Sequence, residues 1–221
     1  MRHHPPPRLP PASASPSDAP LAPPLRVSRL DSNDLSDGGK DASGIVAFAE
    51  WMKQTRSLNN IRLSDVGLTA ATCKALFSAM IGGDYIETMH LSDNDLTDGG
   101  KDVSGIVQIA EWMKQTRSLR KLELMASGLH TERNALGLNP AEAALEEGIM
   151  GCKDLVTLIL RDNDLDPGEI QRLEQAIERH AVRRDLHKPN AGLRQQRGLP
   201  PELVTINLKA DNPGHKGRRV T

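Results

Sequence analysis

The chain has 221 residues, 38% of them hydrophobic but only 2% aromatic, so a core must be assembled from Leu, Ile, Val, Ala and Met rather than from rings. Its formal net charge of -1 hides an asymmetry: residues 25–178 hold 16 Lys/Arg against 25 Asp/Glu, whereas residues 179–221 hold 10 against 3. Cys73 and Cys152 are too few for a disulfide scaffold or a four-thiolate metal site, and neither a signal-peptide apolar run nor a stretch of about 20 apolar residues occurs, which points to a cytoplasmic protein without membrane insertion.

Residues 1–24 carry nine of the fifteen prolines, with Pro5-Pro6-Pro7 and Pro23-Pro24 as the densest runs. Proline withholds the amide donor that strands and helices need, and little apolar surface is present to offset ordering, so this leader is expected to be disordered with some polyproline II character.

From residue 25 the chain repeats itself. Leu30 to Leu58 and Leu91 to Leu119 are identical at 23 of 29 positions, an offset of 61 residues, and both copies read Gly-Gly-Lys-Asp, Ser-Gly-Ile-Val and Ala-Glu-Trp-Met-Lys-Gln-Thr-Arg-Ser-Leu. Each 61-residue unit divides again on the template Leu-x-x-Leu-x-Leu-x-x-Asn/Cys-x-Leu, with starts at Leu25, Leu58, Ile86, Leu119 and Leu155. The interior apolar positions are Ser28/Leu30/Leu35, Ile61/Leu63/Leu68, Met89/Leu91/Leu96, Leu122/Leu124/Leu129 and Leu158/Leu160/Leu165, and only Ser28 breaks the pattern. Spacings of 33, 28, 33 and 36 residues leave room to return each strand through a helix.

At that repeat length, with Leu68-Thr69-Ala70-Ala71-Thr72-Cys73-Lys74-Ala75-Leu76 looking like one repeat type and Leu91 to Leu96 with Asn94 like the other, the chain resembles the ribonuclease-inhibitor-like leucine-rich-repeat proteins over residues 25–181. The resemblance implies an α/β solenoid of about five repeats, with a curved parallel sheet on the concave side and helices on the convex side. It also implies that Asn33, Asn94 and Asn163 satisfy backbone groups at the turn after each strand, in alternate repeats because Val66 and Ser127 replace the amide. Insertions of roughly five to eight residues follow Leu35, Leu96 and Leu129.

The returning helices show apolar spacing near 3.6, in Ile45, Phe48, Ala49 and Met52, in Cys73, Leu76, Phe77 and Met80, in Ile106, Ile109, Ala110 and Met113, and in Ile170, Leu173 and Ile177. Asn139-Pro140-Ala141-Glu142 and Asp166-Pro167-Gly168-Glu169 read as helix starts, with an N-cap, proline in the first turn and a glutamate three residues on. Trp51 and Trp112 hold equivalent helix positions and are expected to pack against a neighbouring helix. Residues 182–221 form a basic tail in which residues 203–208 either add a terminal strand or remain part of a linker. The tail has no aromatic residue to stack on bases and no apolar helix face, so neither nucleic acid nor membrane is the expected partner.

Alternation along each strand places Arg29, Arg62, His90, Glu123 and Ile159, and two positions later Asp31, Ser64, Ser92, Met125 and Arg161, on the concave face. Side chains stacked in this way form one continuous surface of mixed charge, the usual binding surface of such arrays. Acids at Asp34, Asp65, Asp93, Asp95, Asp162 and Asp164 border it and would attract a basic partner. Asp93-Asn94-Asp95 lacks the further ligands of a calcium loop, and Gly-Gly-Lys-Asp lacks the Ser/Thr of a phosphate loop, so no metal or cofactor is expected and the glycines are read as a tight turn. No nucleophile, acid pair or metal spacing surrounds His90 or His130. The expectation is a non-enzymatic scaffold that binds a protein partner on its concave face. Two alternatives remain: a regulator of a small GTPase, since GTPase-activating proteins of the Ran type share this repeat family, and an architectural subunit of a larger assembly.

Overall fold

A computed structural model describes residues 27–186 apart from residue 56, together with the strand 205–207. The expected leader, residues 1–24, lies outside the described residues, as does the repeat start at Leu25. Five strand–helix units follow one another: β1 (Val27–Arg29) and α1 (Ser43–Gln54), β2 (Asn60–Arg62) and α2 (Ala70–Met80), β3 (Thr88–His90) and α3 (Ser104–Gln115), β4 (Lys121–Glu123) and α4 (Pro140–Gly151), β5 (Thr157–Ile159) and α5 (Pro167–Leu186). β6 (Thr205–Asn207) closes the series within the 203–208 stretch. The six strands form one parallel sheet in chain order, with each strand paired to the next by the same three-residue register. This is the leucine-rich-repeat solenoid expected from the template.

Sheet and helices enclose one aliphatic core. The template residues of the second, third and fourth units are buried to within 1%, from Ile61, Leu63 and Leu68 through Leu122, Leu124 and Leu129. Ser28, Leu30 and Leu35 of the first unit are only half-buried, since among the described residues β1 has a partner strand on one side alone, and Leu165 of the fifth unit is half-buried as well. α5 continues to residue 186, past the boundary at 181; Leu173, Ala176, Ile177 and His180 turn its inner face to the core, while Ile170 is half-buried. The expected tail begins on this helix, where Arg183 donates to the Met150 carbonyl; just before it, Arg179 meets Glu146 of α4 at 2.6 Å.

Asparagine side chains hold alternate repeats together. Asn94 accepts from the amides of Val66 and Leu68 at 3.2 and 3.0 Å and donates to the carbonyls of Leu63, Leu91 and Ser92. Asn163 does the same for Ser127 and Leu129, donating to Leu124, Leu160 and Arg161. Each asparagine thus serves its own turn and that of the preceding repeat, which is why Val66 and Ser127 can stand where an amide is expected. Among the described residues no repeat precedes Asn33, which donates to the carbonyls of Leu30 and Asp31.

The insertions are organised rather than loose. In two of them, Asp37-Gly38-Gly39 and Asp98-Gly99-Gly100, three successive residues have positive φ, from 49° to 87°, and turn the chain into the helix. A Cβ on Gly100 would meet the His130 carbonyl oxygen at 2.7 Å, so the turn requires glycine for closeness as well as for conformation. Ser36 Oγ and Thr97 Oγ1 donate to the carbonyls of Gly67 and Gly128 in the following repeats. Asn139 caps α4 through the amides of Ala141 and Glu142, and Asp166 and Glu169 complete a reciprocal capping box on α5.

The expected packing of the two tryptophans against a neighbouring helix holds for Trp112 and not for Trp51. Trp112 is 1% exposed, edge-on to Phe77 of α2 with ring centroids 5.1 Å apart, but Trp51 is 40% exposed and stacks only on Phe48 of its own helix. The sequence cannot separate them because the duplication copied the helix and not its neighbour.

Candidate concave binding face

The strand register settles which side chains stand beside one another. Arg29, Arg62, His90, Glu123 and Ile159 occupy matching positions on β1 to β5, and Asn207 of β6 continues the row in backbone register. Val27, Asn60, Thr88, Lys121 and Thr157 form a second row two residues earlier. Sequence reading missed this row although the same alternation marks it: the period was counted forward from the inner leucines and not back. Lys121 lies on the Glu123 side of the sheet, with its Nζ 2.6 Å from Glu123 Oε1.

Charges on this face are paired across neighbouring strands. Arg62 Nε lies 3.0 Å from Asp31 Oδ2, and the Ser64 amide donates to Asp31 Oδ1 at 2.9 Å. Glu123 bonds His90 on β3 and Lys121 on its own strand. The His90 hydrogen bond, aided by Lys121, outweighs partial burial and lowers the Glu123 carboxyl to about 2. At 6% and 4% exposure, His90 and Ser92 are nearly covered by their neighbours, and the Met125 amide donates to Ser92 Oγ. Arg29 is exposed, whereas Arg62, Glu123, Met125, Ile159 and Arg161 are half-buried. Arg29, the Arg62–Asp31 pair and the Lys121–Glu123 pair are therefore more open to solvent on this face than His90 or Ser92.

The bordering acids fall into two kinds. Asp34 and Asp95 hold turns: Asp34 accepts from the amides of Gly38 and Ser36, which lower its carboxyl, and Asp95 accepts from Gly99. Asp65, Asp93 and Asp162 recur at equivalent left-handed positions with φ of 54° to 58°. Burial raises the Asp93 carboxyl, and the charges of Asp65 and Asp162 raise it further, so these acids repel one another and would gain from a cation brought by a partner.

Both thiols are buried. Burial pushes Cys73 well above the ordinary thiol range and Cys152 up to about 11, values that keep them protonated and unreactive. Among the described residues no helix is long and apolar enough to cross a membrane.

No family model matches the chain, and no curated protein matches it. Solved structures do. The actin-binding site 2 of leiomodin-1 superposes with a TM-score of 0.57 at 14% identity, over 78% of this chain and 88% of that one. The C-terminal domain of tropomodulin from Caenorhabditis elegans superposes with a TM-score of 0.53 at 14% identity, over 73% of this chain and 87% of that one. At that identity the likeness establishes the shared repeat fold.

Proposed function

We propose that this chain is a protein-interaction module of the ribonuclease-inhibitor-like kind, which holds a folded partner across β1 to β4 on the concave face. The observation that carries the reading is the register-matched row of Arg29, Arg62, His90 and Glu123, whose side chains form one surface of paired charges bordered by the Asp65, Asp93 and Asp162 carboxylates. Paired charges on a preformed sheet give orientation and specificity rather than bulk affinity, which suits a docking surface. The likeness to a leiomodin-1 domain described as an actin-binding site makes actin the first partner to test.

Sedimentation of the chain with monomeric and filamentous actin, followed by affinity capture from native extract, tests both levels of the proposal. Arg29→Glu combined with Arg62→Glu should weaken capture of the partner at least about tenfold, equivalent to roughly 1.4 kcal/mol, while thermal unfolding stays nearly unchanged. Normal capture by the double variant removes the concave-face assignment. Absence of actin from both assays removes actin alone.

A further inference from the structure

The duplication supplies an internal control for what covers each helix. α1 and α3 are near-copies, yet residues that α2 covers on α3 are more exposed at the matching positions of α1. Ile109 is fully buried where Phe48 is half-buried, and Trp112 is 1% exposed where Trp51 is 40% exposed. A Cβ on Gly105 would meet the Ala70 carbonyl oxygen of α2 at 3.0 Å, whereas one on Gly44 would meet only Leu35 of its own unit. Asn94 accepts two amides from the repeat before it, and Asn33 accepts none among the described residues. The N-terminal end of the described solenoid is thus a helix-packing face with two stacked aromatic rings and, among the described residues, no helix upon it.

We propose that this face, centred on Phe48 and Trp51, is the docking site of the chain's own proline-rich leader, residues 1–24, bound as a polyproline II segment that caps the first repeat. Three observations select this occupant. Its chemistry fits: polyproline II needs no strand or helix partner for its backbone and packs its rings on aromatic surfaces, and Phe48 and Trp51 offer such a surface with centroids 5.7 Å apart and planes inclined by 27°.

Its point of attachment also fits. α1 ends at Gln54 and a connection of residues 55–59 leads to Asn60, which pairs in register with Val27, so the leader joins the fold at the same end of the unit as Trp51. In polyproline II at about 3.1 Å per residue, residues 9–24 would span about 50 Å, several times the helix width of about 10–12 Å.

Finally, covalent attachment favours the leader over a second copy. A tether of this length holds the segment at an effective concentration on the order of 1 mM, so a contact with an intrinsic dissociation constant of about 0.1 mM is filled in roughly nine molecules of ten. A second copy at micromolar concentration would not compete.

The test uses the full chain. Trp112→Phe keeps a ring against Phe77 and removes an indole N–H that has no hydrogen-bond partner, leaving Trp51 as the sole tryptophan. In that background, changing the nine leader prolines to serine should raise acrylamide quenching of Trp51 at least about threefold. Equal quenching in the two leaders overturns the proposal. As a second measurement that leaves both rings in place, Ala47→p-benzoylphenylalanine puts a photocrosslinker beside Trp51 on α1. Adducts mapped to residues 1–24 within a monomer support the leader, and a crosslinked dimer, or adducts confined to other segments, overturns it.

Discussion

Single residues here act through the groups they leave paired. Asn94 is 4% exposed and satisfies five backbone groups, so Asn94→Ala should cost on the order of 3–5 kcal/mol by stranding buried amides and carbonyls. Asn33→Ala, at an exposed position with two local bonds, should cost less than about 1 kcal/mol. Urea unfolding of the two variants checks the contrast; equal losses would mean that the cross-repeat bonds contribute little. Glu123 is the residue whose titration matters. Its carboxyl is lowered from 4.5 to about 2, so its pairing contributes stability that is complete above pH 4.5 and fades as pH falls toward 2. Glu123→Gln should therefore flatten the melting temperature between pH 4.5 and 2 relative to the parent chain, with a loss on the order of 1–2 kcal/mol at pH 7. A parallel acid limb in the variant would assign the acid sensitivity elsewhere.

The elements show where sequence reasoning reaches and where it stops. Strand positions, the buried leucines and the caps on α4 and α5 were legible because each depends on residues close in the chain. The solenoid was legible because the template recurred five times. What was not legible is what lies against each copy. Trp51 and Trp112 sit in the same identical ten-residue run, and only the presence of α2 beside α3 separates a buried ring from an exposed one. The same limit applies to the concave face, where alternation places His90 and Ser92 but does not show that Glu123 of β4 and Met125 just beyond it bond to them and leave each less than a tenth exposed. Glycine substitution measures this difference directly. Gly105→Ala forces a methyl group against backbone oxygens of Leu96 and Ala70 at 2.8 and 3.0 Å and should destabilise by about 2–3 kcal/mol. Gly44→Ala meets only the Leu35 carbonyl oxygen at 3.6 Å and should be neutral or stabilise by up to about 1 kcal/mol through helix propensity. Equal effects in thermal unfolding would contradict the assignment of α1 as the uncovered helix.

At the scale of the molecule, stability accumulates by stacking, so the ends are the weakest units and the middle the strongest. Hydrogen exchange should be slowest for the amides of β2 to β4, whose flanking leucines are fully buried, and faster for β1; uniform protection would indicate a single cooperative block. The alternating asparagines add a further consequence, for how such a protein can change length. An asparagine repeat carries the acceptor that the repeat before it lacks, so the two kinds form a couplet in which neither member is self-sufficient. Loss of residues 86–118 alone would set Val66 beside Ser127 and leave the amides of Val66 and Leu68 without their acceptor. Loss of residues 58–118, one 61-residue period, joins the first unit to the fourth and keeps every remaining couplet whole. Within the coupled units, heredity therefore lengthens or shortens this solenoid without stranding backbone groups only in double steps, and the near-identical copies in the chain are one such step taken.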